Sequence, residues 1–204
     1  MRSALIETQL FPSLHYFYML SSFDQIQIEA HEHYIKGGFR NRFCITTANG
    51  IANISIPLRK GKNEGQSIKS VEIAYDTDWQ RQSWNTIKSA YQRAPFFEHY
   101  AESLQPLLTH RHKYLYDLNW ESLHLILRWL KWPTTVSESE IYQKTEQTES
   151  VVDFRNLMRV NNQSEFESKP YPQVFEDKWG FISNLSILDL LFCMGPEAPK
   201  YLTI

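Results

Sequence analysis

Cysteine is almost missing from this chain: Cys44 and Cys193 are the only two. Two thiols cannot build a disulfide framework, and without a CxxC pair there is no thiolate zinc spacing. Long apolar runs are missing too. No stretch approaches the ~20 apolar residues of a membrane-spanning helix, and the opening MRSALIETQLF lacks the apolar centre of a secretory signal. A cytoplasmic protein with no membrane attachment is therefore expected. Neither sign of charge dominates, since 21 Lys and Arg stand against 23 Asp and Glu. That balance argues against duplex-DNA binding, and nucleic acid is not the expected partner. A single-strand binder stacking bases on aromatics beside arginine is a weaker alternative. The seven glycines form no GxGxxG, P-loop or GxSxG, so dinucleotide, nucleotide-phosphate and serine-hydrolase signatures are absent.

What is present reads as a globular protein. A length of 204 residues suits one domain, 1–204, with enough chain to bury a core. Aromatics reach 14%, enough to line a pocket as well as fill an interior. Strand patterns come early: ALIETQL at 4–10, DQIQIEAHEHY at 24–34 with Ile26, Ile28 and Ala30 on one face, and the hairpin RFCITTANGIANISIPL turning at Asn49-Gly50. IKSVEIAY is expected as a further strand. Pro12 opens a short apolar helix. Helical periodicity follows from Thr77 or Asp78, again after Pro95 with Phe97, Tyr100, Leu104 and Leu107 inward, and from Asp117 to Lys131. Residues 134–170 are polar and aperiodic, an expected irregular insertion or lid that closes with a short amphipathic helix, VVDFRNLMRV. Ser186, Asp189 and Gly195 bracket a last apolar helix. Strands first and helices later favour α+β: an early mixed or antiparallel sheet with a hairpin, packed by central and C-terminal helices.

The densest chemistry lies in HEHYIKGGFRNR, residues 31–42. Arg40 and Arg42 share parity on a strand, with Asn41 opposite and Lys36 nearby. Guanidinium groups hold phosphate or carboxylate bidentately, so this stretch reads as one wall of a site for an anionic ligand such as a nucleotide sugar. Gly37 and Gly38 let the backbone bend around it. Internal salt bridges to acids such as Asp117 or Asp189 are the plainer use of the arginines. His31 and His33 with Glu29 have the spacing of a partial metal set. Three or four ligands are needed and no further cluster is evident, so no metal is assigned. Cys44 shares the arginines' parity, but a free Cys is most often a small buried hydrophobe. His110 and His112 read as a solvated turn and His124 as a helix residue. His99 is a catalytic candidate beside Tyr100. Tyr34, Trp79, Trp84, Tyr91 and Tyr100 offer stacking surfaces, with core packing the plainer role for Trp84 and Tyr91.

Four stretches together resemble the WbqC-like protein family: QLFPSLHYF, HEHYIKGGFRNRFCI, DWQRQSWNTIKSAYQRAPFFEHY and YPQVFEDKWGFISNLSILDLLFCMGPEA. The chain departs from that pattern at Ser83, where the family often has His, at Cys193, where Asn is common, and at Gly37-Gly38. The resemblance implies a place in surface-polysaccharide synthesis and a transferase acting on an amino sugar, such as nucleotide-linked N-acylation. It implies no particular cofactor. Asn184 and Asp189, which fall in the last motif, join Tyr34, Lys36, Arg40, Asn41, Arg42 and Trp79 as expected ligand-binding residues, with His33 or His99 as general base. A non-catalytic module, either a ligand binder or an assembly partner of a biosynthetic enzyme, is the alternative.

Overall fold

The computed structural model describes residues 2–59, 63–142, 144, 151–159 and 166–203. Four short strands form a wholly parallel sheet: β1 (Ser3–Ile6), β2 (Gln25–Ile28), β5 (Thr135–Glu138) and β6 (Val151–Asp153), in the order β5-β2-β1-β6. Helix α1 (Leu14–Leu20) carries the chain from β1 to β2, as parallel pairing requires a crossover. A separate antiparallel hairpin joins β3 (Arg42–Thr47) to β4 (Gly50–Ser55). Strands and helices combine as the sequence pattern suggests.

Several local details differ from that pattern. β1 stops at Ile6 and β2 at Ile28, so Glu29, His31 and His33 do not ride on a strand face. The hairpin pairs Thr47 with Gly50, which puts Ala48 and Asn49 in the loop and Gly50 at φ 99°. The turn is thus one residue earlier than Asn49-Gly50, with glycine supplying the positive φ after it. IKSVEIAY is not a strand. Ile68–Ser70 coils as a 3-10 turn, and Glu72 and Ile73 make only isolated bridges to Tyr114 and Leu58. VVDFRNLMRV is not a helix either over its described residues, 151–159. Val151 and Val152 are β-branched, and they pair with Ser3 and Ala4 at the sheet edge. The polar 134–170 segment therefore supplies two edge strands; residues 143, 145–150 and 160–165 of it lie outside the described residues.

The helices are α2 (Trp79–Tyr91), α3 (Phe97–Thr109), α4 (Leu115–Leu130), α5 (Glu176–Trp179) and α6 (Ile187–Met194). Phe97, Tyr100, Leu104 and Leu107 of α3 are buried, as are Leu123, Ile126, Leu127 and Leu130 of α4. These apolar stripes, the inner face of the sheet and α6 belong to one continuous core. Helix α4 ends with Lys131 in the left-handed region, two residues before Pro133. Ser186 caps α6, its Oγ accepting from the Leu188 N–H at 3.3 Å. At Gly195, φ 52° and the Phe96 ring pressed against the position leave no room for a Cβ.

One polar centre sits inside this core. The Asp189 carboxylate, fully buried, accepts from Tyr91 Oη at 2.6 Å, Tyr171 Oη at 2.7 Å, Gln173 Nε2 at 3.0 Å and Thr46 Oγ1 at 3.2 Å. Helix α2, the hairpin, the 171–173 segment and α6 meet there. Asp189 does not complete a capping box; its side chain turns inward. Burial pushes its pKa up, and the four donors pull against that. Tyr171→Phe removes one donor, so the carboxyl should rise further. The expected loss is about 1.5–3 kcal/mol at neutral pH, shrinking as the pH falls through the raised pKa of Asp189 and the carboxyl takes a proton. Urea unfolding at neutral and at acidic pH checks it.

Candidate functional site

Two of the parallel strands, β1 and β2, end on isoleucine and are each followed by glutamate, Ile6-Glu7 and Ile28-Glu29. Both glutamates therefore stand just past the carboxyl ends of their strands, where open parallel sheets hold their ligands. The strand order also reverses there. The chain leaves β1 toward β2 and β5, then returns as β6 on the other side of β1. Beyond these strand ends lies a cleft of about 450 Å³, lined by Glu32, His33, Ile35, Tyr142, Asp153, Arg155, Asn156 and Leu157.

Its floor is a buried network of charge. Arg40 donates to Glu32 through two parallel bonds, Nε to Oε1 at 2.9 Å and Nη2 to Oε2 at 2.5 Å. Nη2 also reaches Asn156 Oδ1 at 2.8 Å. Asn156 sits at φ 61°, a left-handed conformation that Asn tolerates. Its N–H donates to Glu7 Oε2 at 2.9 Å. Arg155 forks onto Asp153 and extends Nη1 to Glu29 Oε2 at 2.8 Å, while Ser139 Oγ donates to Glu29 Oε1 at 2.6 Å. The Tyr142 ring covers the Arg155 guanidinium at 5.2 Å. Three carboxylates thus share two guanidiniums, and a fourth, Glu7, is held by the Asn156 N–H. Burial raises the pKa of Glu32, Arg40 pulls it down, and Glu7 and Glu29 add to the rise. Asp153 and Glu29 hold Arg155 firmly charged.

The structure distributes the expected site residues unevenly. His33 is exposed and lines the cleft. Arg40 is 2% exposed and sits before β3 rather than on it, so its guanidinium faces Glu32 and not an outside ligand. The acid it pairs with is neither Asp117 nor Asp189. Arg42 opens β3 half-buried, and its Nε finds no hydrogen-bond partner among the described residues. Lys36 is exposed near Glu64, at 3.6 Å. Tyr34 Oη donates to Asn41 Oδ1 at 3.1 Å, and Asn41 Nδ2 to the Ile56 carbonyl at 3.0 Å, which fixes the strand entry. The cationic wall drawn from the sequence is therefore divided among separate places.

Three other expected ligand residues have internal partners. Trp79 is buried, its Nε1 donating to the Ala74 carbonyl at 3.0 Å. Asn184 Oδ1 accepts the His15 N–H at 3.0 Å, in the first turn of α1. Asp189 is enclosed in the core. His99 stands on the exposed side of α3 against Tyr100, and is not among the cleft's lining residues. Glu29 is held by Ser139 and Arg155 while His31 is exposed, so that partial metal set does not converge. Cys44 is buried and donates to Asn53 Oδ1 at 2.8 Å. Among the described residues no group of three His, Cys, Asp or Glu is placed to hold a metal ion, and no helix is long and apolar enough to cross a membrane.

Glu7, Glu32, Arg155 and Asn156 were not among the sequence candidates. The repeated Ile-Glu at two strand ends was the available signal for Glu7. Arg155 and Asn156 were hidden by the helical reading of their segment. Arg40→Met should leave Glu32 enclosed without its cation, a loss of about 3–5 kcal/mol in urea unfolding. Glu32 then loses what holds its pKa down, so the penalty should be smaller at about pH 5 than at about pH 8. Arg40→Met with Glu32→Leu should recover most of it.

Comparison with known proteins adds the family. A profile of the WbqC-like protein family matches residues 8–164. That span takes in α1 to β6 and the whole of HEHYIKGGFRNRFCI, and stops before the C-terminal stretch from Tyr171. The chain is also 28% identical to the uncharacterized protein Rv1507c of Mycobacterium tuberculosis, over 226 aligned residues covering 98% of this chain and 96% of that one. No solved structure matches. Most of the chain, including nearly every residue of the cleft and its floor, falls inside the matched span, and the protein belongs to the WbqC-like protein family.

Proposed function

We propose that this protein is a transferase acting on an amino sugar, in a nucleotide-linked form, within surface-polysaccharide synthesis. Membership of the WbqC-like family supports the pathway class, and the cleft at the strand ends supports a small polar ligand. The observation that carries the reading is the chemistry of that cleft. Its wall holds Glu32 and Asp153 beside Arg155, Asn156 and His33. Carboxylates accept hydrogen bonds from ring hydroxyls and from an amine, and Arg155 and Asn156 donate to ring oxygens. An excess of carboxylate suits the sugar end of the ligand. The phosphate end then points outward, toward solvent.

His33 is the general base. In an N-acylation the sugar amine attacks the carbonyl of an acyl thioester, its proton passes to His33 Nδ1 or Nε2, the C–S bond breaks, and the thiolate leaves to be protonated. Arg40 acts indirectly, fixing Glu32 in the wall. Ser83, where the family often has His, is buried in α2 and is not part of the cleft lining, so this reading assigns no role to that position.

Thermal shifts against amino-sugar nucleotides, free amino sugars and acyl-CoAs test the reading, with thiol release as the activity. An amino-sugar nucleotide should raise the melting temperature. His33→Ala should keep that shift and lower turnover by roughly 10²–10⁴-fold. No shift with any amino sugar, or unchanged turnover in His33→Ala, would sink the assignment.

A further inference from the structure

A second groove lies on the far helices. Between α3 and α4 runs an open depression of about 760 Å³, inside the ~300–1,000 Å³ range of small-ligand sites. Its chemistry is unlike that of the strand-end cleft. Leu107 and Leu125 form an apolar floor, and Trp120 stands half-buried above it. Tyr116 stacks near-parallel to the indole at 6.2 Å and His124 meets it edge-on at 4.6 Å, which fixes the ring. Pro106 sits inside α3 and has no N–H for the Glu102 carbonyl one turn back, so the wall is interrupted at the groove.

The rim is polar and partly unspent. Glu102 and Arg128 are exposed, and their side chains have no hydrogen bond or ion pair among the described residues. Glu121 lies 3.1 Å from His112. Burial, then Arg128, lowers the pKa of His124, so the neutral imidazole offers one donor and one acceptor.

Three ligand classes present themselves to such a groove. An apolar partner helix would cover the unpaired Glu102 and Arg128 and leave them desolvated, which is costly. A nucleic acid would stack on Trp120, but its phosphates would face Glu102 and Glu121 against a single Arg128. A sugar ring has an apolar C–H face for the indole and hydroxyls that both donate and accept, which is what carboxylate, guanidinium and neutral imidazole together satisfy.

We propose that the α3–α4 groove is a saccharide-binding site separate from the strand-end cleft, with a pyranose laid on Trp120 and its hydroxyls bonded by Glu102, His124 and Arg128. The open shape fits consecutive units of an oligosaccharide. The inference does not depend on the reading of the cleft.

Saturation-transfer NMR of the full chain with chitotetraose, cellotetraose and maltotetraose at millimolar concentration tests it. At least one should bind. Trp120→Ala should weaken that binding tenfold or more, and the surface changes Glu102→Gln and Arg128→Gln, which leave the core untouched, severalfold each. Leu157→Trp, which crowds the strand-end cleft from an exposed position, should leave it unchanged. No binding by any of the three overturns the proposal, as does binding that ignores the Glu102 and Arg128 variants or that disappears with Leu157→Trp. Single-stranded oligonucleotide bound in the groove, with no saccharide bound, overturns it as well.

Discussion

The buried pair of Arg40 and Glu32 is the constraint on which the strand-end cleft depends. Arg40 comes from the turn before β3, and Glu32 from the segment after β2. Through Asn156 the same guanidinium reaches the end of β6, and the N–H of Asn156 reaches Glu7 at the end of β1. The Arg40 carbonyl meanwhile accepts from Asn119 Nδ2 of α4 at 2.8 Å. One residue thus joins two strand ends, a loop and a helix. Ion pairs in such surroundings are weak sources of net stability, because desolvation opposes the attraction. Their effect here is positional: the wall of the cleft has one arrangement in which every carboxylate has a donor.

Asp189 plays a corresponding part at the other end of the core. It gathers the hairpin, α2, α6 and the segment at 171–173 through hydroxyl and amide donors, with no cation. The two centres explain how short elements hold together. The parallel strands have three or four residues each and α6 has eight, so backbone pairing alone would define them poorly. Buried polar centres with full complements of partners penalise any slip in register, since a slip would leave a charge without its donors.

Much of the helical half was legible from periodicity. The stripe Phe97, Tyr100, Leu104, Leu107 is buried as its spacing required, and the hairpin was announced by β-branched runs around Asn49-Gly50. The parallel sheet was harder to read. Its strands are short, two of them lie in a polar segment, and VVD carries too few residues to show a period of two. The site was legible in part. HEHYIKGGFRNR does supply the cleft, through Glu32, His33 and Arg40. Sequence proximity suggested that its cations act together. In fact burial sets Arg40 apart, since it is enclosed with Glu32, while Lys36 stands exposed near Glu64 and Arg42 is half-buried with its Nε unpaired among the described residues.

Family membership and the positions of the long helices were determined by the sequence itself, because they rest on residue type and local spacing. Which charges are paired and which stay exposed was decided only by the tertiary structure. Arg155 and Glu29 are 126 positions apart, as are Arg40 and Asn156 by 116. No local pattern encodes such a contact. It arises when a parallel sheet brings the ends of strands distant in the chain to one edge, where burial makes each carboxylate find a donor.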